Sequence, residues 1–226
     1  MTDSIKGLLL VNKDVGETSF NLVRKLRKRL GVKRIGHAGT LDPFATGLMV
    51  MLIDREYTKR SDSFLNDEKE YIATAKLGIS TDSYDCDGVE TSNSKIIPSL
   101  QEIEAVIASF QGIIEQTPPM FSAKKINGQK LYKLAREGKE IERKPVKINV
   151  STKILEYNYP NLKFQVTCSK GTYIRSIAHD IGQILGCGAH LITLCRIRCG
   201  HFLIQDSIAS EDINNTEYDI LSHIEL

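Results

Sequence analysis

The sequence of 226 residues contains no tryptophan, and its longest uninterrupted apolar run is the six residues from Leu48 to Ile53. A membrane-spanning helix needs about 20 apolar residues, so no such helix is predicted. The five cysteines are few and odd in number, which favours reduced thiols over a disulfide framework. Met1–Ser4 do not resemble the start of a signal peptide. These absences lead us to expect a cytoplasmic protein.

The chain also lacks a large excess of charge of either sign, because its net charge is only +2. A near-neutral net charge argues at first against a nucleic-acid partner. The eight tyrosines are scattered along the chain, so the composition gives no sign of an aromatic stacking surface. The total conceals segregation, however. Residues 1–36 and 124–147 each hold nine basic and three acidic residues, whereas 61–115 hold three basic and eleven acidic residues and 205–226 hold six acidic residues with no Lys or Arg. The basic blocks fit either one face that attracts a polyanion or two solvated helix faces.

Hydrophobic periodicity predicts a mixture of helices and strands without strict βαβ alternation, which is the α+β class. The first helix is predicted to begin at Thr18 or Ser19 and to end at Gly31. Strands are predicted at 7–11, 48–53, 70–78, 161–169 and 191–197, further helices at 99–110, 129–137, 172–185 and 208–224, and irregular loops at 35–47 and 79–98. We expect one domain over residues 1–226, with a basic insertion at about 117–147.

The glycine-rich segment 35–47 places a carboxylate, Asp42, between Leu41 and Pro43. Glycines let a backbone approach a ligand closely, and loops held between strands often carry catalytic groups. Asp-Pro is also a common turn pair in which the carboxylate caps neighbouring backbone groups. The residues alone leave both interpretations open.

The segment Gly36-His37-Ala38-Gly39-Thr40-Leu41-Asp42-Pro43-x-Ala45-Thr46-Gly47 closely resembles the catalytic motif of the TruB-type tRNA pseudouridine synthases. Other segments resemble that family in the same order, and together they span about residues 7–205. They are Asp14–Ser19, Arg55–Lys59, Lys69–Gly88, Pro118–Gly138, Cys168–Arg175 and Gly186–Leu191. Asp14 stands where the family usually has proline.

This resemblance implies the pseudouridine-synthase core, an α+β fold with a mixed, largely antiparallel sheet and a central active-site cleft. It implies isomerisation of uridine to pseudouridine at position 55, in the T arm of tRNA, with the base flipped out of its stack. It implies no cofactor and no metal, and we expect a monomer. Many members continue into a C-terminal PUA domain, and we expect a short form without one.

By the same resemblance Asp42 is the essential catalytic carboxylate. It would add to C6 of uracil, attack C1′ of the ribose or deprotonate C2′, and the sequence leaves these routes open. Arg175 matches the cation that pairs with it and keeps it ionised. The other matching positions are Tyr71 against the flipped base, Tyr173 and Leu194 lining the pocket, His37 filling the gap left by the extruded nucleotides, Lys13 and Lys59 at phosphates or loops, and Lys124, Lys125, Lys130, Lys133 and Arg136 clasping the RNA.

Three alternatives accompany this assignment. Tyr71 could be an ordinary sheet-face residue and Arg175 a solvated cation. The spacing of Cys187, His190, Cys195 and Cys199 is similar to a zinc knuckle, but the predicted strand through Cys195 argues against convergence, and we favour buried free thiols. The last alternative is a non-catalytic RNA chaperone that binds and refolds tRNA on the same basic faces.

Overall fold

The computed structural model describes residues 5–65, 68–126 and 128–226, so the argument from Met1–Ser4 falls outside the described residues. The chain forms two compact units. Unit 1 consists of the residues up to Ile72 together with Leu194–Leu226, and unit 2 consists of Ala73–Thr193. We describe each unit separately.

The bounds of the regular elements follow in chain order. The described α-helices are α1 (Ser19–Leu30), α2 (Asp54–Thr58), α3 (Ser61–Leu65), α4 (Leu100–Ala108), α5 (Leu131–Arg136) and α6 (Ile174–Ile184). The described strands are β1 (Gly7–Lys13), β2 (Ile35–Ala38), β3 (Thr46–Ile53), β4 (Lys69–Leu77), β5 (Ile79–Thr81), β6 (Glu90–Asn93), β7 (Gln111–Gln116), β8 (Lys125–Ile126), β9 (Gln129–Lys130), β10 (Val146–Asn158), β11 (Asn161–Cys168), β12 (Ala189–Cys199), β13 (Phe202–Leu203) and β14 (Ile208–Ala209).

Helix α1 begins and ends where the sequence predicts. The Thr18 hydroxyl accepts a hydrogen bond from the Asn21 backbone N–H at 3.1 Å, which satisfies one of the unpaired donors of the first turn. Gly31 ends the helix with a φ of 68°, a left-handed conformation that glycine adopts without steric cost. Leu22, Val23 and Leu26 form the buried face of the helix.

In unit 1 the strand order is β14-β1-β3-β12, with β2 also paired to β3 and β13 to β12. Strand β3 is antiparallel to β1 and β2 and parallel to β12, where Gly47 faces Arg196 in the register. Seven of the eight β3 residues are buried, which is typical of a strand covered on both faces. Strands β2 and β3 therefore hold the loop that contains Asp42 between two ordered ends.

The core beside these strands is a cluster of buried apolar side chains. Each leucine, valine and phenylalanine side chain of the cluster contributes about 1.5–3 kcal/mol when fully removed from water. The cluster consists of Leu8, Leu10, Ala38, Leu48, Val50, Leu52, Tyr57, Phe64, Cys199 and Phe202.

In unit 2 the strand order is β4-β11-β10-β7, and β10 is antiparallel to both β11 and β7. Helix α4 begins with a capping box in which Ser99 and Glu102 bond each other's backbone N–H. Two short hairpins, β5-β6 and β8-β9, complete the unit. The predicted mixed, largely antiparallel α+β architecture is confirmed, whereas the central cleft stays a prediction.

Several predicted boundaries are wrong. Residues 35–38 form β2 rather than a loop, because a glycine is tolerated inside a strand where its neighbours pair. The supposed loop 79–98 contains the β5-β6 hairpin. The tail predicted as an acidic helix at 208–224 instead forms β14 and short 3₁₀ turns at Asp212–Asn214 and Ile220–His223. Strands β7 and β10 were not predicted at all.

Within the described residues, no helix has the length and hydropathy needed to cross a membrane.

The Gly47–Arg196 pairing generates a first prediction. A Cβ atom added at Gly47 would lie 2.4 Å from the Arg196 carbonyl oxygen and 2.6 Å from its nitrogen, and the φ of Gly47 is +105°. We expect Gly47→Ala to lower the free energy of unfolding by more than about 3 kcal/mol, measured by urea denaturation, because strain and overlap with backbone atoms add. Gly112→Ala is the control, since Gly112 also has a positive φ but open space around it. Equal losses in the two variants would contradict the proposed close approach of β3 and β12.

Candidate active site

The Asp42 loop, residues 39–45, connects β2 to β3 in unit 1. The side chains of Leu41 and Phe44 are buried on either side of Asp42, while Asp42 itself is half-buried. The Ala45 backbone N–H donates to the Asp42 carbonyl oxygen at 3.1 Å, which closes a tight turn. The loop thus anchors its apolar residues in the core and leaves Asp42 partly exposed.

The N-terminal segment braces this loop through backbone groups. The Ser19 hydroxyl, which is buried, accepts from the Leu41 N–H at 3.0 Å and donates to the Leu41 carbonyl oxygen at 3.2 Å. The Gly16 N–H donates to the Pro43 carbonyl oxygen at 2.8 Å. The residues on both sides of Asp42 are therefore fixed from outside the loop.

Lys13 lies at the end of β1, and its side chain is fully buried. Its Nζ donates to the carbonyl oxygens of Asp14, Glu17 and Pro43 at 2.9, 2.8 and 3.3 Å. Burial lowers the pKa of Lys13, and the nearby charges of Glu17, Asp14 and Asp42 oppose that shift. Its contacts are those of a loop-positioning residue, and a phosphate contact stays a prediction.

His37 lies on β2, half-buried, and its Nδ1 atom is buried without a hydrogen-bond partner among the described residues. Burial is the main cause that lowers the pKa of His37, and the positive charge of Arg196 adds to the shift, while the Gly39 backbone opposes it. The ring is accordingly neutral at pH 7 and presents a flat, uncharged face.

Three more candidate residues of unit 1 have different degrees of exposure. Tyr71 on β4 and Leu194 on β12 are buried, and the Leu194 carbonyl oxygen accepts from the Thr46 hydroxyl at 3.5 Å. Lys59 follows α2 and is exposed. The burial of Tyr71 agrees with both a pocket lining and a sheet-face residue.

Arg175, on α6 in unit 2, is buried in an ion pair. Its Nη1 lies 3.3 Å from the Asp85 carboxylate, and its guanidinium donates to the carbonyl oxygens of Ser83 and Phe121 at 2.8 Å each. Asp85 also accepts from the Ser83 hydroxyl and the Asp87 N–H. The alternative of a solvated cation is wrong, and the predicted pairing of Arg175 with Asp42 stays a prediction.

Tyr173 precedes α6 and is half-buried. Its backbone N–H donates to Gln116 Oε1 at 2.8 Å, and its carbonyl oxygen accepts from Gln116 Nε2 at 3.0 Å. Gln116, at the end of β7, is itself buried, so it fixes the start of the helix that carries Arg175.

The basic insertion contains β8, β9 and α5, and Leu131 anchors it as a buried side chain. Its five candidate RNA contacts lie at the surface, with Lys130 the least exposed: Lys124, Lys125, Lys130, Lys133 and Arg136. Lys130 and Arg136 both stand over the ring of Tyr132, at 5.6 and 5.5 Å. Tyr132, which nothing in the sequence singles out, supplies the ring that both cations approach.

The residues of the zinc-knuckle alternative make other contacts. The Cys187 thiol lies 3.3 Å from the Gly188 carbonyl oxygen, and His190 Nδ1 lies 2.8 Å from the Ile79 carbonyl oxygen. In the part of the chain that the structure describes, no three His, Cys, Asp or Glu side chains form a group that could hold a metal ion.

Two positions emerge only from the structure. Ser19 belongs to a family-like motif, but its bridge to Leu41 requires the fold to bring the two together. Arg196 is buried and bonds the first residue of the Asp42 loop, Gly39, and a residue of β3 just after the loop, Leu48. Its signal in the sequence is an arginine two residues after Leu194, on the strand face that should be apolar.

Comparison with known proteins shows the family of the chain. Residues 27–174 match the family model described as TruB family pseudouridylate synthase (N terminal domain), and residues 175–221 match the tRNA pseudouridylate synthase B C-terminal domain. The chain belongs to the TruB family of pseudouridylate synthases and is therefore an isomerase. This membership favours the enzyme over the non-catalytic chaperone.

Relatives cover most of the chain. A protein from Protochlamydia amoebophila named tRNA pseudouridine synthase B is 61% identical over 93% of this chain and 80% of its own length. One of the same name from Chlamydia muridarum is 52% identical over 99% of this chain and 92% of its own. A chain in the crystal structure of a Cbf5-Nop10-Gar1 complex is 28% identical with a TM-score of 0.73. That match covers 94% of this chain but only 54% of the solved chain.

The Ser19 bridge generates a second prediction. Ser19→Ala leaves the buried Leu41 N–H without its acceptor, and we expect the free energy of unfolding to fall by about 1–3 kcal/mol. Urea denaturation measures the change. Ser63→Ala is the matched control, because the Ser63 hydroxyl donates to the Arg60 carbonyl oxygen at an exposed position, and it should cost less than about 0.5 kcal/mol. A Ser19→Ala loss no larger than the control's would show that the bridge does not brace the loop.

Proposed function

We propose that this chain converts uridine to pseudouridine at position 55, in the T arm of tRNA, with Asp42 as the essential carboxylate. The observation that carries the proposal is the way in which neighbouring segments fix the backbone on both sides of Asp42. It is half-buried on a loop whose flanking backbone groups are held by Ser19, Gly16 and Lys13. A reacting group gains most when its position is fixed before the substrate arrives.

The reaction moves the uracil from one bond to another without net addition or loss of atoms. The bond between C1′ and N1 breaks, the base turns, and a bond forms between C1′ and C5. The proton on C5 leaves, and N1 gains a proton. The carboxylate of Asp42 serves this sequence by adding to C6, by attacking C1′ or by deprotonating C2′, and all three routes begin with an ionised oxygen next to the nucleotide.

The target base must leave its stack before it reaches Asp42, at a cost of a few kcal/mol. Stacking against an aromatic ring offsets about 1–3 kcal/mol of that cost per base. We assign Tyr71 to the face of the flipped base, Tyr173 and Leu194 to the walls around it, and the neutral ring of His37 to the gap left behind. Burial of Tyr71 and Leu194 supports these roles, because an apolar wall excludes water from the reacting base.

The basic insertion supplies the electrostatic part of tRNA binding. Its exposed lysines and Arg136 attract phosphates, and Lys130 and Arg136 lie within cation–π distance of the Tyr132 ring. Lys59 adds an exposed cation in unit 1. Each basic block of the sequence lies in a different unit, and a common basic face stays a prediction.

Replacement of the carboxylate tests the proposed chemistry. We expect Asp42→Asn to lower pseudouridine formation in an unmodified tRNA transcript by more than about 1,000-fold, because the amide neither ionises nor acts as a nucleophile. The tRNA dissociation constant should change by less than about threefold. Asp206→Asn, an exposed position in the same unit, serves as the control and should behave as the wild type. A folded wild-type protein that binds tRNA without forming product would favour the chaperone instead.

Salt dependence tests the basic insertion. We expect the combined change Lys124→Gln, Lys125→Gln and Lys133→Gln to weaken tRNA binding and to reduce the slope of log K against log salt by about 2, since each lost phosphate contact removes about 0.7–0.9. The matched control removes three exposed lysines elsewhere in unit 2, Lys95, Lys153 and Lys163. Equal slopes for the two triple variants would remove the insertion from the RNA interface.

A further inference from the structure

Arg196 is the largest fully buried side chain of the described residues, with 1% of its surface exposed. Its guanidinium does not lose its proton in a protein, so a full positive charge lies inside unit 1. Burying such a charge is unfavourable unless a carboxylate or several hydrogen bonds compensate it. The hydrogen-bond partners of the Arg196 guanidinium therefore indicate its role in the fold.

Arg196 differs from two other arginines in its partners. Arg175 is buried to a similar degree and pairs with Asp85, and Arg198, two residues along β12, pairs with Glu70 at 2.9 Å. Among the described residues, no carboxylate lies within ion-pair distance of Arg196. Its partners are instead backbone oxygens and the sulfur of a methionine.

Those partners lie on both sides of Asp42 in the chain, one at the start of the Asp42 loop and the others on β3 just after it. Nε donates to the Leu48 carbonyl oxygen at 2.6 Å, and Nη2 donates to the Gly39 carbonyl oxygen at 3.4 Å and approaches Met49 Sδ at 3.1 Å. Gly39 precedes Asp42 and Leu48 follows it. One planar group thus holds the chain before and after the carboxylate.

The geometry of the guanidinium makes this contact stiff. Nε and Nη2 belong to one delocalised plane, so their donors keep a fixed separation and direction. Two carbonyl oxygens bound to that plane are held at a fixed spacing as well. A lysine at the same position would supply the charge without the planar fork.

We propose that Arg196 is a positioning residue for the isomerisation, because its guanidinium fixes the spacing between Gly39, where the Asp42 loop begins, and Leu48, on β3 beyond the end of the loop, and thereby the position of the Asp42 carboxylate. The inference rests on the proposed function of Asp42. The positive charge of Arg196 also reaches His37, where it lowers the pKa of the imidazole. The charge of Arg196 and its bonding geometry can therefore be measured separately. The His37 pKa reports the charge, and kcat reports the geometry.

Two substitutions separate these contributions. In Arg196→Lys we expect kcat for pseudouridine formation to fall by about 10- to 100-fold with KM changed by less than about threefold, since small displacements of a reacting group cost up to about 100-fold. The His37 pKa, followed by NMR titration, should stay at its wild-type value, because the charge remains. In Arg196→Met we expect the same loss of kcat or a larger one, and the His37 pKa should rise toward the ordinary value of 6.5.

The control is Arg198→Met, which removes an arginine from the same strand of the same unit, and its kcat should stay within about twofold of the wild type. Near-UV circular dichroism and thermal melting establish that each variant is folded. The inference is overturned if folded Arg196→Lys keeps wild-type kcat, or if its loss of activity is entirely a rise in KM. Failure of both Arg196 variants to fold would assign the residue a purely structural role and would overturn it too. Failure of the proposed function has a different signature, in which wild-type protein forms no product or Asp42→Asn is fully active.

Discussion

A loop that holds a carboxylate, here Asp42, in a partly buried place must find donors for its own backbone carbonyls. In unit 1 these donors are three side chains from other parts of the chain. Lys13 bonds the Pro43 carbonyl, Ser19 the Leu41 carbonyl and Arg196 the Gly39 carbonyl, and Arg196 also bonds the carbonyl of Leu48 on the strand that follows the loop. A regular strand or helix would satisfy the same groups internally, but it would not present Asp42 at a sharp turn. The arrangement of unit 1 around the loop follows from this requirement.

The same requirement explains where the chain approaches itself most closely. Gly47 lies opposite Arg196 with no room for a Cβ atom, and this contact brings the arginine backbone against the strand that leaves the loop. From there the side chain reaches Gly39 at the start of the loop and Leu48 on the strand after it. A larger residue at position 47 would separate the strands and withdraw the guanidinium from its acceptors. The glycine therefore belongs to the support of Asp42 although it makes no contact through a side chain.

Helix caps and hydrophobic alternation, which depend only on neighbouring residues, predicted the elements that these same features stabilise. The cap at Thr18 and the left-handed Gly31 define α1, and the alternation before Leu77 defines β4, because both depend on neighbours in the sequence. Strand β10 was missed because many of its 13 residues face solvent, and only pairing with β7 and β11 stabilises it. The acidic tail was read as a helix from its composition, yet its backbone pairs with β1 through β14.

The residues of the candidate site likewise fall into those that the sequence reveals and those that only the fold reveals. Asp42 is recognisable because its motif is contiguous, whereas the role of Arg196 depends on a contact across almost 150 residues of sequence. From the sequence alone Arg196 and Arg198 are two similar basic residues on one strand. The fold gives Arg198 a carboxylate and gives Arg196 only carbonyl oxygens and a sulfur among the described residues. Stability does not explain the buried charge of Arg196, because an apolar side chain of similar volume would fill the space without the free-energy cost of removing a charge from water. The fixed spacing that a planar cation imposes on the loop accounts for its retention.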